Sequence, residues 1–297
     1  MRYASAAAFR QALETSLSGS SREMGRPLVR LRKEVVFDRL LARLLVVAPG
    51  RWVLKGGLAL DYRFGARART TKDVDLAGPD GEDTATEMPL TAQACDPGDF
   101  FSFAIERAAR LDQLAEGAAT RHRAVASLAG RVFEEGAVDV GFDLSPGWQP
   151  EILEGPDLLR FAEIEPVRVP ALPLELQVAE KVDAYARRYG PSRIASTRVR
   201  DLVDLFLIAA LAPLDAESLR EALRVTFERR GRRTLPAALP RPPADWARPF
   251  AQLAGEVGLE PGLRRGHDAA ARLLDAILRG GIGHGVWDPA GQAWRRR

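Results

Sequence analysis

A pair of adjacent glycines, Gly56 and Gly57, constrains the fold of this chain more than any other feature of its sequence. A short apolar run, residues 51–54, ends at these glycines, and helix-forming residues follow at 58–64. This order predicts a strand, a tight turn and a helix. Because glycine has no side chain, backbone amides at the start of such a helix can approach a phosphate closely. The stretch therefore indicates a phosphate-binding turn.

Two aspartates follow in the segment Asp73-Val74-Asp75-Leu76, where polar and apolar residues alternate. The alternation predicts a strand with one wet face, on which residues i and i+2 lie side by side with Cα atoms roughly 6–7 Å apart. Two carboxylates about 5 Å apart at an effective dielectric of about 20 repel each other by roughly 3 kcal/mol. A bound cation would offset this repulsion. Since Mg²⁺ takes oxygen ligands and is commonly shared with phosphates, we expect Asp73 and Asp75 to bind Mg²⁺, with Mn²⁺ as an alternative ion.

A third acid on a neighbouring strand would complete a site for two metal ions. Residues 137–142 alternate in the same way and predict another strand that carries an acid on one face. Asp139 on this segment is the first candidate for the third metal-binding acid. Asp143, which follows directly, is the second candidate, and the sequence leaves both open.

Helical patterns precede and follow this region. An amphipathic helix is predicted at 29–47. Pro170 and Pro173 predict an extended linker after residue 166, where the chain changes character. The other predicted elements are strands at 100–105, 124–128 and 131–133, a loop at 78–99, and helices at 108–118, 174–189, 198–211, 216–229, 246–257 and 267–278. We therefore expect an α+β fold with a mixed sheet: N-terminal helices and a core at 1–165, and a helical C-terminal domain at 166–297, together bilobed.

Charge is distributed unevenly along the chain. The net charge is +3, but residues 220–297 contain 15 Lys and Arg against 8 Asp and Glu, a net of +7 that leaves −4 for residues 1–219. A basic C-terminal third is suited to contact with a polyanion. The alternative is that these arginines only solvate helix faces.

Several classes of protein are disfavoured. Cys95 is the single cysteine, so the chain cannot form an internal disulfide. The N-terminus lacks the apolar core of a signal peptide. The most apolar stretch, 202–214, is too short to span a bilayer. We therefore expect a cytoplasmic protein without a membrane segment. There is no P-loop sequence, and the scattered histidines do not form a zinc pattern.

The order of these features resembles a known group of enzymes. A strand, a Gly-Gly turn and a D-x-D strand are similar to the core signature of the DNA polymerase β-like nucleotidyltransferase superfamily. Five blocks, LKGGLAL, RTTKDVDL, VDVGFD, AEKVDAYARR and RVRDLVDLF, together resemble the AbiEii/AbiGii toxin family, which includes the MenT-type toxins. The resemblance covers roughly residues 29–211. It implies a polymerase β-like core and a toxin that transfers nucleotides from a nucleoside triphosphate to the 3′ end of tRNA, with Mg²⁺ as cofactor and a cognate antitoxin as partner.

The resemblance also implies roles for residues that match the family's blocks. Asp73 and Asp75 correspond to its metal-binding catalytic acids, and Gly56 and Gly57 to its phosphate turn. Lys181 resembles the family's invariant lysine and Asp201 the aspartate of its R-D block, which makes both candidate catalytic residues. Candidate nucleotide-binding residues are Lys181 again, with Arg69 and Thr71, although Thr71 stands where a serine is more usual.

Helical spacing supports the assignment of Lys181. Lys181, Tyr185 and Arg188 fall at i, i+4 and i+7 and are expected on one polar face of a helix. Asp201 and Asp204 on the next predicted helix are placed to hold Lys181 or Arg200 through charge-assisted hydrogen bonds.

Two other functions compete with transfer to tRNA. One is nucleotidylation of a small molecule or a protein, which would make the basic C-terminal region incidental. The other is a catalytically silent module that binds a nucleotide or an antitoxin, and the intact acids argue against it.

Overall fold

The structure is a computed structural model that describes residues 1–78, 81–110, 119–141, 147–189, 194–195, 198–231 and 234–296. The chain divides into two compact units. The first unit comprises Met1–Ala66 and Thr70–Leu172, and the second comprises Arg67–Arg69 and Pro173–Arg297.

The first unit combines helices with one mixed sheet. Its helices are α1 (Ala6–Met24), α2 (Leu28–Val47), α3 (Gly56–Phe64) and α4 (Glu82–Ala92). Its strands are β1 (Val53–Lys55), β2 (Asp73–Ala77), β3 (Phe101–Arg110), β4 (Ala119–Leu128), β5 (Arg131–Gly141), β6 (Glu151–Glu154) and β7 (Arg168–Ala171). The sheet order is β3-β4-β5-β2-β1-β7-β6; β2 pairs with β5 and β1 with β7 in parallel, and the other neighbours are antiparallel. The predicted α+β fold with a mixed sheet is confirmed.

The helices before the sheet bury apolar stripes against it. In α1, Phe9, Leu13 and Leu17 lie four residues apart, so they share one face, and all three are fully buried. The ring of Phe37 on α2 lies so close to Gly136 on β5 that a β-carbon at Gly136 would stand 2.5 Å from Phe37 Cε1. The glycine therefore lets α2 pack tightly on the sheet.

The predicted loop at 78–99 is wrong, because it contains α4. Pro89 lies inside this helix, where a proline has no N–H to donate to the carbonyl four residues earlier. That carbonyl, on Ala85, instead accepts a hydrogen bond of 3.1 Å from the hydroxyl of Thr120 on β4. A contact with the sheet thus replaces the lost helical bond.

The central strands are longer than the sequence predicts. The helix expected at 108–118 is wrong at its start, because Arg110 still belongs to β3, and residues 111–118 lie outside the described ranges. Strand β4 begins at Ala119, before the predicted start at Ala124. Strand β5 joins the strand predicted at 131–133 to the one predicted at 137–142, whose last residue lies outside the described ranges. Antiparallel pairing with β4 carries β5 through polar residues that have little strand propensity of their own.

The predicted linker after residue 166 is also partly wrong. Residues Arg168–Ala171 form β7, which pairs with β1 and β6. Pro170 within it lies opposite Ile152. A proline is tolerated in such a short strand only where its missing N–H is not needed by the ladder.

The second unit is mainly helical. Its elements are α5 (Leu174–Ala186), β8 (Arg188–Tyr189), β9 (Ile194–Ala195), α6 (Val199–Leu211), α7 (Ala216–Arg229), α8 (Ala247–Glu256), α9 (Leu263–Leu278), β10 (Val286–Asp288) and β11 (Ala293–Arg295). The hairpin of β10 and β11 is not predicted by the sequence. It buries Trp287, whose indole N–H donates to the carbonyl of Ala209 on α6 over 2.8 Å. Within the described ranges, no helix is long and apolar enough to cross a membrane.

Candidate active site

A row of charged side chains crosses the sheet of the first unit. Strand pairing places Lys55 of β1 beside Asp75 of β2, Asp75 beside Asp139 of β5, and Asp139 beside Arg121 of β4. Residues paired in this way lie on the same face of a sheet. Asp73 lies two residues before Asp75 on the same strand and shares that face. The three acids predicted as metal ligands are therefore brought together on one face.

Gly56 begins α3 directly beside this row. Its φ is +66°, a conformation that favours glycine, and a β-carbon on it would lie 2.7 Å from Asp75 Cγ. Lys55 precedes the helix and has no hydrogen-bond acceptor in its side chain, so it cannot cap the first-turn amides. These amides, including that of Gly57, form the positive end of the helix. The turn thus places next to Asp75 a helix N-terminus, a type of backbone that can bind phosphate.

Thr71 contributes to the start of β2. Its side chain is buried, and its hydroxyl donates to the backbone carbonyl of Asp73 over 3.2 Å. This contact fixes the backbone that carries Asp73. In the described structure Thr71 therefore supports an acid, and its predicted role in nucleotide binding stays a prediction.

Arg121 lies on this face and is not among the residues that the sequence identifies. Its Nε and Nη2 donate to the two oxygens of Asp139 over 2.7 and 2.5 Å, and Nη2 lies 3.7 Å from Asp73 Oδ2. The hydrogen bonds with Asp139, with the charges of Asp139, Asp73 and Asp75, raise the already high pKa of the Arg121 guanidinium. The period-two spacing of Arg121 and Arg123 is the one signal that could have placed Arg121 on this face.

The acids of the first unit fit a divalent ion in part. Asp73 and Asp75 offer oxygen ligands of the type that Mg²⁺ prefers, on one face and beside a helix start. Asp139 is already held by Arg121 through both of its oxygens. Among the described residues, no group of three or more His, Cys, Asp and Glu side chains is arranged to hold a metal ion. The alternative third acid, Asp143, lies outside the described residues.

The second unit contains a separate buried cluster around Asp204 of α6. Lys181 of α5 donates to Asp204 over 2.6 Å and to Asp201 over 3.3 Å. Arg69, which belongs to this unit, donates to both oxygens of Asp204 over 2.9 and 3.0 Å. The sequence predicted that Asp201 and Asp204 hold Lys181 or Arg200, and the structure selects Lys181. Arg198, at the start of α6, donates to Asp201 over 3.2 Å.

Burial and the neighbouring charges shift the pKa values of Asp204 and Lys181. Burial alone would raise the pKa of Asp204, but Lys181 and Arg69 outweigh it and lower that pKa. Burial likewise opposes the charge of Lys181, yet Asp204 and Asp201 raise the pKa of its ammonium group. The charged forms therefore stabilise one another, and Lys181 is held as a cation in a fixed position.

The predicted polar face of Lys181, Tyr185 and Arg188 is not formed. The chain leaves the helix after Ala186, where Arg187 adopts an extended conformation. Tyr185 is buried, donates to the carbonyl of Pro240 over 2.7 Å and packs edge-on against Trp246. Lys181 therefore remains a candidate functional residue, and the side chain of Arg188 lies outside the described part of the chain.

The fold agrees with that of a similar solved structure. The chain is similar to MenT4, a nucleotidyltransferase toxin from Mycobacterium tuberculosis, with a TM-score of 0.54 and 22% identity over 88% of this chain and 97% of that chain. A second similar structure is JHP933 from Helicobacter pylori, with a TM-score of 0.48 and 14% identity over 84% of this chain and 94% of that chain. A search of curated proteins finds no match.

A family model gives the more specific result. The model of the nucleotidyl transferase AbiEii toxin, from type IV toxin–antitoxin systems, matches residues 39–275. This match includes α3, β2 and β5 of the first unit and α5 and α6 of the second. The chain belongs to the AbiEii family of nucleotidyltransferase toxins.

Proposed function

We propose that this protein transfers nucleotides from a nucleoside triphosphate to the 3′ acceptor end of tRNA in a reaction that depends on Mg²⁺, and so blocks translation. The observation that carries the proposal is the close approach of Asp75 to Gly56 at the start of α3. A carboxylate pair for a cation and a helix start for a phosphate then meet at one point. A nucleoside triphosphate complexed with a divalent ion needs the carboxylates for the ion and the helix start for the phosphates.

The reaction exchanges the phosphoanhydride bond between the α- and β-phosphates for a phosphodiester bond to the acceptor. The acceptor hydroxyl oxygen attacks the α-phosphorus, a new P–O bond forms, the bond to the β-phosphate breaks, and pyrophosphate leaves with the electron pair. The proton of the hydroxyl passes to solvent. A divalent ion bound by Asp73 and Asp75 would offset the negative charge of the phosphates. Catalysis of this kind consists mainly of positioning and electrostatic stabilisation.

Each residue of the chain has a limited task in this scheme. Asp73 and Asp75 would hold the ion, Thr71 holds the backbone of Asp73, and the amides at Gly56 and Gly57 would donate to phosphate oxygens. In the second unit, Asp201 orients Lys181, a fixed positive charge of the sign that phosphate oxygens attract. Arg69 acts with Lys181 to keep Asp204 ionised.

The basic C-terminal region supports RNA as the acceptor. Residues 220–297 carry a net charge of +7, and individual arginines of α9 are well exposed, with 94% of the Arg264 side chain accessible. Contacts between arginine and phosphate bind RNA largely without regard to sequence. Membership in a toxin family of type IV systems implies a cognate antitoxin as a further partner.

The test is a labelling assay on the full-length protein. It is incubated with total RNA, MgCl₂ and each α-labelled nucleoside triphosphate in turn, and the products are separated into RNA, protein and small molecules. Asp73→Asn removes one proposed ligand. Asp157→Asn is the matched control, because Asp157 pairs with the exposed Arg160 in the same unit.

We expect label in tRNA with the unmodified protein and with Asp157→Asn, and none with Asp73→Asn or without divalent metal. Label in protein or in small molecules would instead assign a different acceptor. If no fraction were labelled under any condition, the proposal would fail in favour of a silent binding module.

A further inference from the structure

Arg121 places a positive charge against two of the acids of the first unit, Asp139 and Asp73. Its guanidinium meets Asp139 with two parallel hydrogen bonds of 2.7 and 2.5 Å, the bidentate geometry that fixes an arginine on a carboxylate. Its Nη2 atom also lies 3.7 Å from Asp73. A positive charge therefore stands between the two acids that flank Asp75.

The strand register makes this arrangement part of the sheet. Arg121 and Asp139 are direct neighbours across β4 and β5, and Asp139 and Asp75 are direct neighbours across β5 and β2. No rearrangement of loops is needed to bring the guanidinium to Asp139. Only 14% of the Asp139 side chain is accessible, so its contact with Arg121 is largely shielded from water.

We propose that Arg121 serves as a built-in cation that replaces a second divalent ion, so that this site binds one metal ion, at Asp73 and Asp75. The proposal rests on the function proposed above and deepens it. Asp139 is then a positioning residue that holds Arg121, and Arg121 directs its remaining charge toward the phosphates of the nucleotide. The expectation of two metal ions, drawn from three acids on neighbouring strands, is replaced by one metal ion and one arginine.

Electrostatics explains why Arg121 can replace a second divalent ion. A guanidinium on Asp139 neutralises one of three carboxylates, and it repels any further cation placed between Asp139 and Asp73. It also stays in place when nucleotide and metal dissociate, whereas a second divalent ion would have to bind anew in each cycle. Removal of its charge should open Asp139 to a metal ion.

The test is Mn²⁺ binding to the full-length protein, measured by electron paramagnetic resonance without nucleotide, so that each bound ion reports on protein ligands alone. The variants are Arg121→Gln, Asp73→Asn and Asp139→Asn. Arg123→Gln is the matched control, because Arg123 lies two residues along the same strand, is exposed, and donates to Glu135 instead. Circular dichroism and thermal unfolding establish that each variant is folded.

We expect one Mn²⁺ ion in the unmodified protein, in Asp139→Asn and in Arg123→Gln, and a loss of at least about tenfold in affinity in Asp73→Asn. Arg121→Gln should bind a second ion, or bind the first about tenfold more tightly, because a positive charge has been removed. Two ions in the unmodified protein, or an unchanged Arg121→Gln, would overturn the role of Arg121 and leave the transferase proposal standing. An absence of Mn²⁺ binding in every form would remove the metal-binding role of Asp73 and Asp75 and this inference with it.

Discussion

The carboxylate of Asp75 lies directly over the α-carbon of Gly56, so that a β-carbon there would stand 2.7 Å from Asp75 Cγ. Asp75 and the first turn of α3 are thereby held in one fixed relation. Any side chain at position 56 would have to move either the acid or the helix.

Gly56→Ala should consequently impair both stability and activity. We expect a loss of about 1 kcal/mol in the free energy of unfolding from the left-handed backbone and about 1–3 kcal/mol more from the clash with Asp75. Gly50→Ala is the control, since Gly50 has a similar φ of +70° but no atom within 4 Å of an added β-carbon. Denaturant unfolding and nucleotide transfer are measured for both. Equal losses in the two variants would show that Asp75 is not the obstacle.

Asp204→Asn should destabilise the second unit strongly. It leaves Lys181 and Arg69 without their common buried partner, and removing one member of such a cluster costs about 3–5 kcal/mol. Asp201→Asn should cost less, about 1 kcal/mol, because Lys181 keeps its bond of 2.6 Å to Asp204. Activity lost in Asp201→Asn at nearly normal stability would fit a role in orienting Lys181. The opposite order of stabilities would contradict Asp204 as the centre of the cluster.

Glu34 makes the stability of the first unit depend on pH. Burial, with a contribution from Asp61, raises the pKa of Glu34 from 4.5 to about 7 despite the opposing effects of Arg26 and Arg30. Between pH 4.5 and 7 the folded state therefore keeps a proton that the unfolded chain has released. This contribution to stability is complete below pH 4.5 and is lost as the pH rises through 7.

We expect the free energy of unfolding to fall by up to about 3 kcal/mol across this range because of Glu34. Glu34→Gln should flatten that part of the profile, as measured by urea unfolding at several pH values. The control is Glu14→Gln, since Glu14 pairs with Arg32 and is more accessible. A profile for Glu34→Gln as steep as that of the control would refute the assignment.

Thr120→Val should destabilise α4 through the carbonyl of Ala85. Loss of the hydroxyl leaves this buried acceptor without its 3.1 Å bond, at a cost of about 1–2 kcal/mol. Adding Pro89→Ala should restore much of the loss, because an alanine N–H can complete the helix. Thr91→Val is the control, since Thr91 is an exposed residue of the same helix. No rescue in the double variant would mean that Pro89 and Thr120 are not coupled.

Sequence patterns predict an element well where a short stretch of chain sets its own conformation. Alternation at Asp73 to Leu76 predicted β2, and helical spacing predicted α7 to the residue. Gly56 and Gly57 predicted the change from strand to helix, although α3 begins at Gly56 itself and not after the two glycines. Each of these elements follows from neighbouring residues alone.

Other features depend on contacts between distant parts of the chain. Composition argues against a helix around Pro89, and α4 tolerates it because Thr120 is supplied by another strand. Arg121 is not predicted because Arg121 to Arg123 has little strand propensity, and only pairing with β5 reveals its contact with Asp139. The hydrogen bond between Lys181 and Asp204 could be predicted in part, because helical spacing indicates which acids can reach the lysine.

The parallel pairing of β2 with β5 has a consequence for synthesis of the chain. Asp75 and Asp139 are neighbours in space, but β3, β4 and β5 must be synthesised before Asp139 can pair with Asp75. Until then β2 lacks the strand on that side, and its unpaired backbone groups are open to another chain. Parallel pairing over such a separation closes slowly. The nascent protein therefore passes through a stage at which it is prone to aggregation before it can act as a toxin.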